Sequence, residues 1–483
     1  MITRVFQPRK WRATLAAFGL LMLVSPLFFG ASLRQEQKKA VSFKVDTLAR
    51  NLTVPWEILF VPDGTMLFTE RSGQVRIYRD RKLLDEPALS LDTRQQKKMG
   101  MLGLAIHPDF AQNHFVYMAY NYTTKTGNAR MRVLRYRFSG DKMTEPKVLI
   151  EDIHANENHT GCRLVFGPDK KLYITTGDAD EPALAQDLKA LNGKILRVND
   201  DGSIPADNPF VNSDTARKEI WTYGHRNPQG LAFEPITGHL YDSEHGPTGG
   251  DEINRIVKGK NYGWPVIHHG DTRSGMVSPL AEFTPSVGPS KLIFYRGNRY
   301  PGLKGSLLMA TLRGESIIRA ELKNGEVIVR DTLLKNQYGR IRALTEGPDG
   351  YLYFSTSQVD PPEGKGRPDY DMILRLEPAA GQIYAAPENT GRKQLPVKPK
   401  MADRSAAAMF QQLCASCHGD HLQGSDKVKT MLDGQWKHGS SKAALVSTIT
   451  NGVPDKGMPA WKGAIAPKDI SAISDYILSA TKK

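Results

Sequence analysis

The chain has 483 residues, 65 Lys and Arg against 51 Asp and Glu, a formal net charge of +14 and three cysteines. That length exceeds one ordinary core, so two or more domains are expected, most of them soluble and globular given ordinary apolar content and plentiful charge. Three cysteines make no disulfide framework, and no basic tract interleaved with aromatics points to nucleic acid. The positive charge reads as that of a generally basic periplasmic protein, with an acidic partner or membrane surface as the other reading.

Residues 1–33 hold the one apolar stretch of membrane length. Arg4, Arg9, Lys10 and Arg12 flank a run from Ala13 to Leu33, the pattern of an export signal in positive-inside orientation. The run suffices to span a bilayer, and Phe29-Gly30-Ala31 is a poor small-x-small cleavage site. The segment therefore reads either as a cleaved signal peptide or as a retained inner-membrane anchor. Without a twin arginine, the chain is expected to cross unfolded and to take up cofactors in the periplasm.

From residue 41 to 379 one local pattern recurs: an apolar strand, a Pro-Asp turn, then an alternating strand. Phe60-Val61-Pro62-Asp63-Gly64, Phe166-Gly167-Pro168-Asp169-Lys170 and Glu346-Gly347-Pro348-Asp349-Gly350 are clear copies, with looser ones at His107-Pro108-Asp109 and Glu234-Pro235. Proline presets the turn, glycine or aspartate completes it, and period-two alternation marks half-buried strands. Copies spaced by roughly 45–65 residues are too many for one sandwich and suggest propeller blades; unrelated hairpins are the alternative.

Between these strands lie polar, glycine-rich segments, where a propeller puts its functional groups. The densest are Asn158-His159-Thr160-Gly161-Cys162-Arg163, Tyr223-Gly224-His225-Arg226-Asn227-Pro228-Gln229-Gly230 and Glu244-His245-Gly246-Pro247-Thr248-Gly249-Gly250-Asp251-Glu252. Asp178 ends the hairpin that His159 begins, so a carboxylate can meet an imidazole across paired strands and hold its tautomer. A loop histidine at the surface is the plainer alternative.

Residues 380–402 turn to Ala, Pro, Lys and Gln and read as a semi-extended linker. Beyond it, Ala406–Cys414 and Lys468–Leu478 carry helical periodicity. Cys414-Ala415-Ser416-Cys417-His418 spaces two thiols for the vinyl groups of one haem c, with His418 beneath the iron. A zinc or dithiol site is the alternative, but zinc wants further ligands, and the remaining cysteine, Cys162, lies in another region. Met458, in Gly457-Met458-Pro459-Ala460-Trp461, can reach the opposite face, and Met/His ligation suits an electron acceptor.

Segments 158–178, 220–231 and 244–265 together resemble the soluble quinoprotein glucose/sorbosone dehydrogenase family, and the likeness extends over most of 41–379. It is densest in His159-x-Gly161-x-Arg163-Leu164, Gly224-His225-Arg226-Asn227-Pro228-Gln229-Gly230, Gly246-Pro247, Asp251-Glu252-Ile253-Asn254 and Asn261-Tyr262-Gly263-Trp264-Pro265. Members are six-bladed propellers that oxidise aldoses with pyrroloquinoline quinone (PQQ) and calcium. The resemblance thus implies a mainly β chain: a six-bladed β-propeller over 41–379, then a small all-α cytochrome c domain over 403–483.

The resemblance also implies roles. His159 would be the general base on the sugar C1 hydroxyl, oriented by Asp178, with hydride passing to the quinone. Arg226 and Asn227 would contact the cofactor, Arg226 steadying negative charge that develops on it. The backbone carbonyls of Gly246 and Pro247 would hold calcium. Arg340 and Arg342 would bind the cofactor's acid groups. Two cofactor-binding positions depart from the family: Lys98 replaces its usual glutamine and Arg313 its lysine, both keeping or adding positive charge. Cys162, beside His159, reads as a buried small residue and not a nucleophile.

Haem and quinone explain each other, because a quinone holds two electrons and releases them singly to a one-electron acceptor. The expected function is a periplasmic dehydrogenase that oxidises an aldose to its lactone, or a related aldehyde, and feeds a respiratory cytochrome or terminal oxidase through its own haem. No Gly-x-Gly-x-x-Gly follows a strand, which weakens a nicotinamide or flavin reading. A non-catalytic binding propeller and a calcium-dependent lactonase are the other classes. The His159, Arg226-Asn227 and Arg340/Arg342 set opposes the first, and the fused haem opposes the second.

Overall fold

The computed structural model describes residues 43–323, 325–358, 371–378, 405–414, 418–419, 422–424, 430–433, 436–453, 458, 461 and 467–481. The export segment 1–33, the linker 380–402 and Cys417 lie outside the described residues. Among those described, no helix is long and apolar enough to cross a membrane.

Six antiparallel sheets follow one another along the chain. Their first strands are Pro55–Phe60, Met101–Ile106, Leu164–Phe166, Pro228–Phe233, Pro289–Phe294 and Ile341–Glu346. Each packs against the first strand of the preceding and the following sheet, and the sixth packs against the first. The result is a closed six-bladed β-propeller. Blade 6 is completed from the other end of the chain: Phe43–Ala49 pairs antiparallel with Ile373–Pro378, Val45 opposite Leu376 and Thr47 opposite Leu374. Leu52 and Val54 then donate backbone N–H groups to the carbonyl and carboxylate of Asp371 at 3.1 and 2.9 Å, fastening the turn from blade 6 into blade 1.

Inner strands are buried on both faces and read as continuous apolar runs, such as Met101-Leu102-Gly103-Leu104-Ala105. Strands further out alternate: in Gln74–Arg79 Val75 and Ile77 are fully buried between half-buried polar neighbours. Cores form where adjacent blades face each other, for example Ile174, Leu164 and Leu196 of blade 3 with Tyr117 and Val133 of blade 2.

The recurring Pro-Asp turn joins the first two strands of a blade. Asp63, Asp169 and Asp349 each accept the backbone N–H two residues on through Oδ1, at 2.8, 3.1 and 3.2 Å. In blades 3 and 6 the other carboxylate oxygen accepts a tyrosine hydroxyl, Tyr173 at 2.9 Å and Tyr353 at 2.7 Å. The glycine opening these turns answers to the aspartate and that tyrosine together: a Cβ on Gly167 would lie 2.4 Å from Asp169 Oδ1 and 2.8 Å from the Tyr173 ring, and one on Gly347 2.7 Å from Asp349 Oδ1 and 2.4 Å from the Tyr353 ring. Blade 1 has Leu67 in place of the tyrosine, and there Val61 takes the glycine's place. Blade 5 joins its first two strands through the longer 295–306 segment, so the signal is missing there.

The C-terminal unit is helical: Ala406–Leu413, Lys442–Asn451 and Pro467–Ala480, the last packing against both others. Ser441 caps the second, its Oγ accepting from Ala444 N at 3.1 Å. Ile470, Ile473 and Ile477 present one stripe to Phe410, Leu445, Ile449 and Trp461. Such a core suits a small cytochrome c domain.

The turn logic is testable. Gly347→Ala is expected to destabilise the propeller by about 1–3 kcal/mol through overpacking against Tyr353. Adding Gly347→Ala to a Tyr353→Leu background should cost less than in wild type, as Val61 and Leu67 imply, the remaining cost coming from Asp349 Oδ1. Denaturant unfolding of the double-mutant cycle measures the coupling, and additive effects would refute the steric account.

Candidate functional site

In an antiparallel blade, the segment entering the first strand and the loop leaving the second lie at the same end of the sheet. Lys98, His159 and Ser286 precede first strands; Asn227, Gln229, Arg340 and Arg342 stand at first-strand starts; Asp178, His245 and Arg313 follow second strands. All of these except Asp178 line one cleft, together with Trp56 and Gly288. Residues from 56 to 342 thereby converge on one end of the ring.

Within the cleft, His159 Nδ1 lies 2.8 Å from Asp178 Oδ1. Strand pairing brings them together: Leu164 stands opposite Ile174, and the two chains continue to His159 on one side and Asp178 on the other. Close approach of the backbones requires Gly177, where a Cβ would sit 1.9 Å from the His159 carbonyl oxygen. The Asp178 side chain is fully buried and multiply held. Its Oδ2 accepts from Trp264 Nε1 at 2.8 Å and its Oδ1 from Asp180 N at 3.0 Å. A carboxylate fixed this way keeps the proton on His159 Nδ1 and leaves Nε2 as an acceptor. Asp180 adds a second carboxylate oxygen 3.1 Å from Nδ1.

Lys98, Arg313, Arg340 and Arg342 supply positive charge to the cleft wall, and no carboxylate is among its lining residues. Arg342 Nη1 donates to Gln229 Oε1 at 3.3 Å, and its guanidinium lies 5.9 Å from the Trp56 ring. The other approach to Trp56 is taken by Arg163, 4.2 Å from its centroid. Fully buried Arg163 bonds Glu57 through Nη1 and the Gln229 carbonyl through Nε at 2.9 Å, while Lys291 Nζ reaches Glu57 at 3.0 Å. Burial raises the Glu57 carboxyl, but Arg163 and Lys291 outweigh it and hold it below its usual value. Burial pushes Lys291 down to about 8 against the pull of Glu57. This triad links blades 1, 3 and 5 across the channel and fixes the indole that lines the cleft.

Arg226 stands behind the wall, its guanidinium 5.3 Å from the Trp264 ring and its Nη1 donating to the His245 carbonyl at 3.3 Å. Its backbone N–H donates to Glu244 Oε2 at 2.7 Å. His245 itself donates from Nε2 to the Pro289 carbonyl at 2.7 Å. Burial, then the nearby cations Lys98 and Arg226, hold its pKa well below the usual histidine range, so the ring is neutral. Gly246 and Pro247 follow it directly. The buried Asp251 carboxylate ties this loop to the next, accepting from Gly246 N at 3.0 Å and from Ser286 Oγ, Val287 N and Gly288 N at 2.7 Å. Gly246 admits no side chain, since a Cβ would lie 2.1 Å from the Gly249 carbonyl oxygen.

The structure thus gathers Lys98, His159, Asn227, Arg313, Arg340 and Arg342 in one cleft, with Asp178 and Arg226 in contact with its lining. Cys162 is fully buried, and burial pushes its thiol far up, which removes it as a nucleophile. Sequence reasoning passed over Trp56, Gln229 and His245 as site residues. Gln229 and His245 sit inside motifs already singled out, whereas Trp56, in an apolar strand, gives no local signal. In the C-terminal unit Cys414 and Met458 pack against the apolar cluster and His418 N donates to the Cys414 carbonyl at 3.0 Å. Burial lowers the His418 pKa.

Known proteins resemble both parts of the chain. Residues 52–363 match the family model of Glucose / Sorbosone dehydrogenase, and residues 402–477 that of Cytochrome C oxidase, cbb3-type, subunit III. Aldose sugar dehydrogenase YliI of Escherichia coli is 36% identical over 333 residues, covering 65% of this chain and 90% of that protein. The PQQ-bound aldose sugar dehydrogenase structure from Streptomyces coelicolor aligns with a TM-score of 0.60 at 32% identity, over 70% of this chain and 99% of that one. For the C-terminal segment, cbb3-type cytochrome c oxidase subunit FixP of a Bradyrhizobium species is 37% identical over 87 residues, 18% of this chain and 30% of that protein.

The neutral state of His245 has a consequence for stability. Its folded pKa lies below the unfolded value of about 6.5, so on acidification through that value the unfolded chain takes the proton first and stability falls. Below pH 6.5 wild type should lose up to about 1.4 kcal/mol per pH unit more than His245→Gln. Denaturant unfolding at stepped pH measures this; parallel curves would mean His245 is not held neutral.

Proposed function

Because the chain belongs to the glucose/sorbosone dehydrogenase family and carries a cytochrome c domain, we propose that it oxidises the C1 hydroxyl of an aldose to the lactone, or a related aldehyde, and passes the electrons to its own c-type haem. The single observation that carries this reading is the His159–Asp178 pair opening onto a cleft whose walls hold four cations and no carboxylate. A base alone would suit many hydrolytic or isomerising sites. Its pairing with an all-cationic wall fits a redox cofactor that bears several acid groups, as PQQ does.

Lys98, Arg313, Arg340 and Arg342 would hold the carboxylates of PQQ, the arginines by paired donors, with Asn227 as a polar contact. The carbonyls of Gly246 and Pro247 would hold calcium, on a loop that Asp251 keeps in place. Bound PQQ supplies a two-electron acceptor that can release electrons one at a time.

The protein's own contribution is proton handling and charge. His159 Nε2 takes the proton of the substrate C1 hydroxyl, and Asp178 stabilises the imidazolium that forms without moving. Trp264 Nε1 and the Asp180 N–H also donate to that carboxylate, which keeps it from turning away. Arg226, close to Asp178 and the His245 carbonyl, offsets negative charge that builds up in the cleft. In the C-terminal domain, thioethers from Cys414 and Cys417 would hold the haem and His418 and Met458 would bind its iron, which would supply a one-electron acceptor. The N-terminal segment supports export to the periplasm, free or anchored at the inner membrane, and a respiratory cytochrome or oxidase as the final acceptor.

The test is optical. Haem-loaded protein given calcium, PQQ and a panel of aldoses should show the reduced haem α-band only when quinone and sugar are both present. His159→Ala should slow that reduction by about 10²–10⁴-fold, while dithionite still reduces the haem fully. Haem reduction at an unchanged rate in His159→Ala would overturn the assignment of the base. Reduction by aldehydes but by no aldose would move the substrate class.

A further inference from the structure

Behind the segment that carries His245 to the cleft, blade 4 buries a second polar cluster that the proposed chemistry does not use. Asp242 and Glu244 project from the same side of strand Leu240–Glu244. The register places Asp242 opposite Asn254 and Glu244 opposite Glu252 on strand Asp251–Ile256. His225, from the segment joining blades 3 and 4, closes over them. Its Nδ1 is 3.0 Å from Glu244 Oε1 and 3.5 Å from Asp242 Oδ2, and its ring stacks on Tyr262 at 4.6 Å between centroids. His225 and Asp242 are 0% exposed, Asn254 1% and Glu244 2%.

The oxygens of this cluster are unevenly satisfied. Glu244 accepts from Arg226 N at 2.7 Å and from Asn254 Nδ2 at 3.2 Å, and the same Nδ2 donates to Glu252 at 3.0 Å. Neither buried carboxylate oxygen of Asp242 nor the Oδ1 of Asn254 has a donor in good hydrogen-bonding geometry, although the Asn254 backbone and side-chain N–H groups lie close enough to ease the Asp242 charge. Among the described residues, the ion partner of Asp242 and of Glu244 is His225, with no lysine or arginine paired to either. Buried carboxylates without donors are costly, so the site calls for a proton or a cation.

The imidazole decides which charge fits better. His225 Nε2 is 2.9 Å from Thr222 Oγ1. With Nε2 protonated and donating to that hydroxyl, the Nδ1 lone pair faces the same point as the two carboxylates. The Nδ1 and carboxylate oxygens all lie within 4.8 Å of one another, a spread that one ion spans at ligand distances of about 2.0–2.4 Å. The Nε2–Thr222 contact is then the outer hydrogen bond that orients a ligating histidine.

We propose that His225 Nδ1, Asp242 and Glu244 bind a divalent cation, with Asn254 Oδ1 as a further oxygen donor, at a site separate from Gly246 and Pro247. One imidazole among carboxylate oxygens favours a first-row ion such as Mn²⁺ over calcium. Its place in the fold gives it a structural task. It clamps the strand whose end delivers Glu244 to the Arg226 backbone and His245 to the cleft. The competing occupant is a proton on Asp242, whose carboxyl is pushed well above the usual range by burial and then by Glu244 and Glu252.

Full-length protein, stripped with EDTA, its haem kept ferrous, is titrated with Mn²⁺ in a His159→Ala background, which removes the His159–Asp178–Asp180 group as a rival nitrogen site. The expected results are a bound Mn²⁺ showing electron spin-echo coupling to an imidazole nitrogen, and a rise in melting temperature on metal addition. Adding Asp242→Asn should remove one equivalent of Mn²⁺, the nitrogen coupling and the thermal shift together. Equal stoichiometry and equal thermal response with and without Asp242→Asn would overturn the proposal and assign the cluster to a proton. Should that variant not fold, the His159→Ala protein decides alone: bound Mn²⁺ without nitrogen coupling, or no binding, overturns it.

Discussion

Closure of the ring, with Pro55–Phe60 seated against Ile341–Glu346, is the constraint on which every cleft residue depends. Every blade contributes at least one side chain at the end where its first strand begins. None of those side chains can face another unless all six first strands converge on one axis. The pairing of Phe43–Ala49 with Ile373–Pro378 secures that convergence by making the last sheet out of both ends of the propeller sequence.

A ring closed around an axis leaves a central channel, and this one is filled with charge. Glu57, Arg163 and Lys291 come from three blades and are buried together, a combination that is unfavourable unless each charge is matched and hydrogen-bonded. Their net excess of positive charge continues into the cleft through Arg342, Arg340, Lys98 and Arg313. The same field and burial keep His245 neutral. His159 is treated differently, because Asp178 and Asp180 stand beside it. Two histidines on one wall thus meet different surroundings: His159 faces two carboxylates, and His245 is a neutral donor to a backbone carbonyl.

Much of this could be read without coordinates wherever the information is local. The Pro-Asp turns announce hairpins because the aspartate caps its own turn, and five of the six blades carry the signal in some form; blade 5 lacks it because its first hairpin turns through a longer segment. His159 and Asp178 could be paired because they flank one hairpin. The Cys-x-x-Cys-His spacing speaks for haem because the attachment chemistry lies within five residues. Arg226, Lys98 and the arginines near 340 drew notice through resemblance to a family and not through any local rule.

What sequence alone determined, then, was the set of hairpins, the haem motif and the short-range His159–Asp178 pair, since hydrogen bonding within a turn or across one hairpin depends on spacing of a few residues. What only the tertiary structure decided was which distant groups share a surface: Trp56 between Arg163 and Arg342, Trp264 on the Asp178 carboxylate, and His225 over Asp242 and Glu244. Those contacts join segments as much as 286 residues apart across blades, and their geometry follows from ring closure and blade packing. No periodicity or motif records that distance, because the physical force that sets it is burial of whole sheets against one another.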